Sequence, residues 1–140
     1  MFQGGYAGQL LYVDLTEGKI RKEPLPWDIV EKYIGGAGLA SKILYDMIKP
    51  KTDPLSSENV LMFSVGPLCG TLFPQASRIV VAAKNPLTGG WGEAHAAGFF
   101  GPELKLAGYD GIIFTGRAKH PVYLYVENDI VELRSAKHLW

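Results

Sequence analysis

Arg78 is the side chain in this sequence best suited to holding an anion. A guanidinium is permanently charged and planar, and its fork of N–H donors matches a phosphate or the edge of a flat heterocycle. Arg78 follows a loop containing Pro74 and Ser77 and opens the run Ile79-Val80-Val81-Ala82-Ala83. An ordinary surface arginine at a strand end has the same surroundings. The second candidate is backbone. Between Gly92 and Gly98 stand Ala94, His95, Ala96 and Ala97, small enough for main-chain amides and carbonyls to approach a ligand closely. A flexible loop has that composition too. Both pairs of readings stay open on the residues alone, and a site exists only if Arg78 and this segment meet in the fold.

Other reactive residue types have simpler readings. His95 can act as a ligand or an acid–base group, or be structural; His120 and His138 have no partner at ligand spacing. Cys69 is the only cysteine, so it cannot form an internal disulfide or by itself hold zinc or an iron–sulfur cluster. It follows Pro67-Leu68 and reads as a buried apolar filler with no evident positive charge to activate it. Glu103 reads as part of a solvated helix face and Asp110 as a helix cap, not as a carboxylate pair. Gly35-Gly36-Ala37-Gly38 lacks the preceding strand and third glycine of a dinucleotide fingerprint, and no Walker lysine follows; it reads as a close-packed helix–helix corner.

The elements that must position these residues follow from periodicity. Leu10–Leu15 and Lys19–Glu23 flank the turn Thr16-Glu17-Gly18 and predict an opening hairpin. Trp27–Ile34 predicts a short helix stopped by Gly35-Gly36. Gly38–Ile48 predicts a second, burying Leu39, Ile43, Leu44 and Met47. Val60–Val65 and Arg78–Ala83 predict strands, the first buried on both faces. Trp91–Phe100 is the least regular stretch. A helix at Pro102–Ala107, a strand at Ile112–Thr115 and a hairpin around Asn128-Asp129 follow. Six or seven strands with three short helices make an α+β domain built mainly on a sheet. Ser135–Trp140 looks like a helix start, and the apolar Leu-Trp end predicts a chain cut from something longer.

Composition narrows the function. Fourteen basic and fourteen acidic side chains cancel, which argues against nucleic acid or an anionic membrane surface as partner. Apolar residues are 47% and charged residues 20%, a globular balance. Met1–Gln9 shows no secretion signal, no apolar run spans a bilayer, and the single cysteine suits a reducing compartment, so a soluble cytoplasmic protein is expected. Glycine, at 17 of 140 residues, is in excess, as tight turns or close backbone approach require.

Eight segments, in order and spacing, resemble the N-terminal domain of the aldehyde ferredoxin oxidoreductase family. They are Tyr12-Val13-Asp14-Leu15, Ile34-Gly35-Gly36-Ala37-Gly38-Leu39-Ala40, Asp53-Pro54-Leu55-Ser56-Ser57-Glu58-Asn59, and Gly66-Pro67-Leu68-Cys69-Gly70-Thr71. Arg78 with Lys84-Asn85-Pro86-Leu87-Thr88-Gly89, Gly98-Phe99-Phe100-Gly101-Pro102-Glu103-Leu104-Lys105, Ala107-Gly108-Tyr109-Asp110-Gly111-Ile112-Ile113 and His138-Leu139-Trp140 complete the set. Members of that family oxidise aldehydes to carboxylic acids and pass the electrons through a 4Fe–4S cluster to ferredoxin. Their tungsten is held by the dithiolenes of two pterins, whose phosphates are joined by magnesium.

The resemblance implies that residues 1–140 are a saddle-like N-terminal domain cradling tungstopterin, incomplete and part of a longer enzyme. It implies cofactor contacts at Arg78, His95, Ala96, Ala97 and Gly98, with the backbone carbonyl of His95 on magnesium. The family often has asparagine where His95 stands, a change that a carbonyl contact survives. The cluster cysteines and a second pterin-contact arginine lie beyond Trp140, which places the cluster in the parent enzyme only and leaves the isolated chain inactive. Expected partners are the remaining domains, ferredoxin through the parent, and further copies in a homo-oligomer. Relatives acting on aromatic-ring thioesters share these segments, and a non-catalytic binding or structural module is the remaining alternative. No residue reads as a proton-transfer catalyst, so orientation and electrostatics are the expected contribution.

Overall fold

The continuous apolar run Leu10–Val13 and the mostly polar return strand after the Thr16–Gly18 turn form the hairpin that opens the sheet. A computed structural model describes residues 4–140; Met1–Gln3, the head of the stretch read as lacking a secretion signal, lie outside the described residues. The strands are β1 (Gln9–Asp14), β2 (Lys19–Pro24), β3 (Leu61–Val65), β4 (Ile79–Lys84), β5 (Trp91–Ala96), β6 (Gly111–Thr115), β7 (Val122–Glu127) and β8 (Ile130–Ser135). The helices are α1 (Trp27–Tyr33), α2 (Gly36–Met47) and α3 (Phe100–Leu106), and Lys137–Leu139 forms a single 3-10 turn where a helix start was expected.

Six strands form one sheet in the order β2-β1-β6-β3-β4-β5, and β7 pairs with β8 in a separate hairpin. β1 and β6 run parallel, and every other pair is antiparallel. Strand alternation sorts the core into two layers. Leu10, Met62, Ala82 and Ile113 face α2, where Leu39, Ala40, Ile43 and Leu44 cover them. Leu11, Val13, Val65, Ile79 and Ile112 face the other way, towards Leu104 of α3 and the half-buried Leu124, Val126, Val131 and Leu133 of the hairpin. β3 and β6 read as nearly continuous apolar runs because both of their faces are covered. The outcome is the expected α+β, sheet-built domain.

Further particulars differ from expectation, among them α3, which starts at Phe100 and ends at Leu106 where Pro102–Ala107 was expected. Trp91–Phe100 is not irregular: its first six residues form the edge strand β5, held by a full ladder to β4, which raises the strand count to eight. α2 begins at Gly36, two residues early. Met47 is 37% exposed, and Ile48 packs on the core instead, because the helix ends at Ile48 in extended backbone (φ -87, ψ 119). The glycine corner is as close-packed as predicted: a Cβ on Gly38 would lie 2.2 Å from the Tyr33 carbonyl oxygen. Among the described residues no helix is long and apolar enough to cross a membrane.

Candidate functional site

The β4–β5 connection decides what meets what. Asn85 closes it: its N–H donates to the Gly90 carbonyl (2.8 Å), and its Oδ1 accepts from the Leu87 N–H (2.8 Å). Gly92 packs onto the same side chain, where an added Cβ would lie 2.9 Å from Asn85 Cβ. The ladder that follows runs from Lys84↔Trp91 to Ile79↔Ala96. Arg78 precedes Ile79 and Ala97 follows Ala96, so the residues flanking the last pair are Arg78 and Ala97. The structure therefore brings the candidate arginine and the His95–Gly98 segment to one corner of the sheet.

Antiparallel pairs alternate between hydrogen-bonded and non-bonded. Counting from the bonded Asn85–Gly90 pair, Gly92, Ala94 and Ala96 bond to β4, while Trp91, Glu93 and His95 turn their N–H and C=O groups away from it. β5 is the edge of the sheet, so the His95 carbonyl faces the open edge. The side chains divide by the same parity. Trp91, Glu93 and His95 share the α2 face, with Glu93 Oε2 accepting from Trp91 Nε1 (2.9 Å) and Oε1 lying 3.2 Å from His95 Nε2. The hydrogen bond from His95, and secondly that from Trp91, holds the Glu93 carboxyl below its ordinary range. The His95 imidazole is thus tied sideways along the strand while its carbonyl stays available.

Ala94 to Gly98 are all exposed. Gly98 has φ +119, which side chains rarely adopt, and nothing lies within 4 Å of where a Cβ would be. Arg78 is exposed as well. Of the four arginines, Arg21 pairs with Glu23, Arg134 with Glu132, and Arg117 donates to the Leu55 carbonyl. Arg78 has no such partner among the described residues. A large, flat, anionic group fits this corner: a guanidinium without a counter-charge, outward backbone groups and side chains too small to hold a ring away. Among the described residues no three His, Cys, Asp or Glu gather as metal ligands, so a cation here would rest on carbonyl oxygen and on the ligand's own phosphates.

Two readings need correction. Asp110 is not a helix cap, since its side chain caps none of the helices. It is buried in an ion pair with Lys105, itself 3% exposed, and its Oδ1 and Oδ2 accept from the N–H groups of Ala7 (3.1 Å) and Gly8 (2.6 Å). Lys105 also donates to the Gly5 carbonyl (3.1 Å). Sequence reasoning missed this pair because Lys105 looks like a helix-surface lysine; its one signal is its place directly after the buried Leu104, on the stripe that faces the core. Cys69 is buried as expected, but positive charge is near it. Burial pushes the thiol pKa up and Lys105 only partly opposes the shift, so the thiol remains inert. Glu103 is exposed, as a solvated helix face requires, and His120 and His138 are exposed too.

Fold and corner together define a sheet-built α+β domain that presents backbone and one arginine at an open edge. A family described as aldehyde ferredoxin oxidoreductase, N-terminal domain, matches residues 10–140, and the chain belongs to that family. It is 45% identical over 136 residues to the tungsten-containing aldehyde ferredoxin oxidoreductase of Pyrococcus abyssi, covering 97% of this chain and 22% of that protein. It is 41% identical over 138 residues to the aliphatic sulfonate oxidoreductase WOR-like subunit of Pyrococcus furiosus, covering 96% and 22%. Among solved structures, the active site complex BamBC of benzoyl coenzyme A reductase with 1,5-dienoyl-CoA superposes with a TM-score of 0.94 at 44% identity, over 96% of this chain and 21% of that one. The chain thus spans about a fifth of the length of the relatives it matches (22%).

Proposed function

We propose that this domain supports the tungstopterin of an oxidoreductase that converts aldehydes to carboxylic acids with ferredoxin as electron acceptor. The observation that carries the reading is the meeting of Arg78 with the His95–Gly98 segment at the open edge of the sheet. Arg78 holds anionic oxygens of the cofactor through its fork, a role that suits a guanidinium with no competing carboxylate. Ala96, Ala97 and Gly98 would let the cofactor lie against the backbone, and the outward carbonyl of His95 would offer an oxygen ligand to a magnesium held with it. When bound, the cofactor supplies the two-electron chemistry at its metal. The chain itself orients the cofactor, offsets its charge and moves no proton.

On this reading the 140 residues are an incomplete portion of a longer cytoplasmic, homo-oligomeric enzyme. Its other domains provide the 4Fe–4S cluster, the substrate pocket and the contact with ferredoxin, and the chain alone is inactive. A second reading, a subunit acting on aromatic-ring thioesters, is supported by the likeness to the benzoyl coenzyme A reductase complex. The deciding experiment measures tungsten and pterin in the protein expressed with its downstream region, beside the 140-residue chain and an Arg78→Ala variant of the long form. Tungsten and pterin in the long form, reduced by Arg78→Ala and absent from the short form, are expected. Full cofactor content in the Arg78→Ala protein would sink the assignment. Assays with aldehydes and with aryl thioesters then separate the two activities.

A further inference from the structure

Helix α3 starts two residues after Gly98, and its first turn runs beneath the loop that delivers Arg78. The clearance between them is less than one methyl group. A Cβ on the buried Gly101 would lie 2.9 Å from Cys69 Sγ, 3.2 Å from the Ser77 carbonyl oxygen and 3.5 Å from that of Arg78. One turn along, a Cβ on Gly70 would meet Lys105 Cβ at 3.3 Å and Pro102 Cα at 3.5 Å, and the Gly70 N–H donates to the Ala76 carbonyl (2.9 Å) to close the loop. The helix cannot retreat, because Lys105 is locked to Asp110 and to the Gly5 carbonyl in the interior. One short helix therefore ends the segment carrying Gly98 and sets the height of the backbone carrying Arg78.

We propose that Gly101, seated against Cys69, is a positioning residue that fixes the Arg78 backbone relative to the His95–Gly98 segment. This rests on the cofactor-supporting role given to Arg78 above. A side chain at Gly101 must push Cys69 and the Ser77–Arg78 peptide outward, and Arg78 moves with them while β4 stays anchored in its ladder. Gly101 and Cys69 are both buried and present no surface to a ligand, so the residue acts through Arg78.

The test uses the enzyme expressed with its downstream region and reads tungsten and pterin content beside the melting temperature. Gly101→Ala should lower cofactor content by about tenfold, the scale of weakening one charge-assisted contact. Adding Cys69→Gly, which removes the sulfur, should restore a large part of it. Cys69→Leu with Gly101 intact intrudes on the same gap from the other side, should cause the same loss, and serves if Gly101→Ala does not fold. Gly116→Ala is the control, since it crowds Thr16 just past the end of β6, at the opposite end of the sheet from Arg78. If it lowers cofactor content as much as Gly101→Ala at equal melting temperature, the effect is general destabilisation and the proposal falls. It falls equally if Gly101→Ala retains full cofactor while Arg78→Ala loses it. Full retention in Arg78→Ala, or a wild-type protein without tungsten or pterin, overturns the underlying assignment and this inference together.

Discussion

Asp110 shows how one carboxylate can organise chain segments far apart in sequence. Its side chain holds the amides of Ala7 and Gly8 and the ammonium of Lys105, while its own backbone bonds to Gln9 and Val65. Removing one member of a buried pair leaves a charge without compensation, which costs about 3–5 kcal/mol. Lys105→Met should therefore destabilise the domain by that amount in urea or thermal unfolding. Adding Asp110→Asn to Lys105→Met should recover part of the loss, because the amide oxygen still accepts from an N–H and no buried charge remains. A double variant no more stable than Lys105→Met would show that the carboxylate is not the costly partner. This pair was illegible in the sequence because solvent exposure, not residue type, separates it from a surface lysine beside a turn. The chemistry of Arg78 and of the small residues after Trp91 was legible from type alone. Their meeting was not, since it depends on a register set by Asn85 and Gly90.

At the scale of elements, the strands most legible in the sequence were those buried on both faces, β3, β4 and β6, whose apolar runs declare them. β5 escaped because Gly92, Ala94 and Ala96 are residues that strands avoid. Its conformation is imposed by β4, not encouraged by its own side chains. The opposite edge, β2, is guarded by Lys19, Arg21, Lys22, Glu23 and Pro24, whereas β5 has only Glu93 and His95 tied to each other. The ladder makes a direct prediction for hydrogen exchange resolved by residue. The amides of Gly92, Ala94 and Ala96 should be protected by their bonds to β4, and those of Glu93 and His95 should exchange quickly from the open edge. Protection of His95 equal to that of Ala94 would mean the carbonyl assigned to magnesium is turned inward, and that part of the site would have to be abandoned.

On the scale of the whole molecule, the corner that holds Arg78 is rimmed by uncovered apolar side chains. Leu72 is fully exposed, Phe99 is 85% exposed, and Leu68, Phe73 and Phe100 are each more than half exposed. Apolar grooves also open on the α3 side of the sheet, between Phe63, Phe114 and the hairpin residue Leu124. Scattered surface leucines need no explanation, but five exposed apolar side chains on two segments that meet at Gly101, on a chain of zero net charge, have little to oppose association in water. The 140-residue chain alone should therefore self-associate in a concentration-dependent way, measurable by sedimentation velocity. Leu72→Ser with Phe99→Ser should reduce that association. Because both side chains are exposed, the pair should alter folding stability by no more than about 0.5 kcal/mol each. The same substitutions in the longer protein should act differently. If downstream domains cover this rim, they should weaken domain packing and lower the unfolding temperature of the whole, while the isolated chain keeps its own. A 140-residue chain that stays monomeric across the concentration range would mean that the rim is tolerated in water, and the argument that it needs a cover would fail.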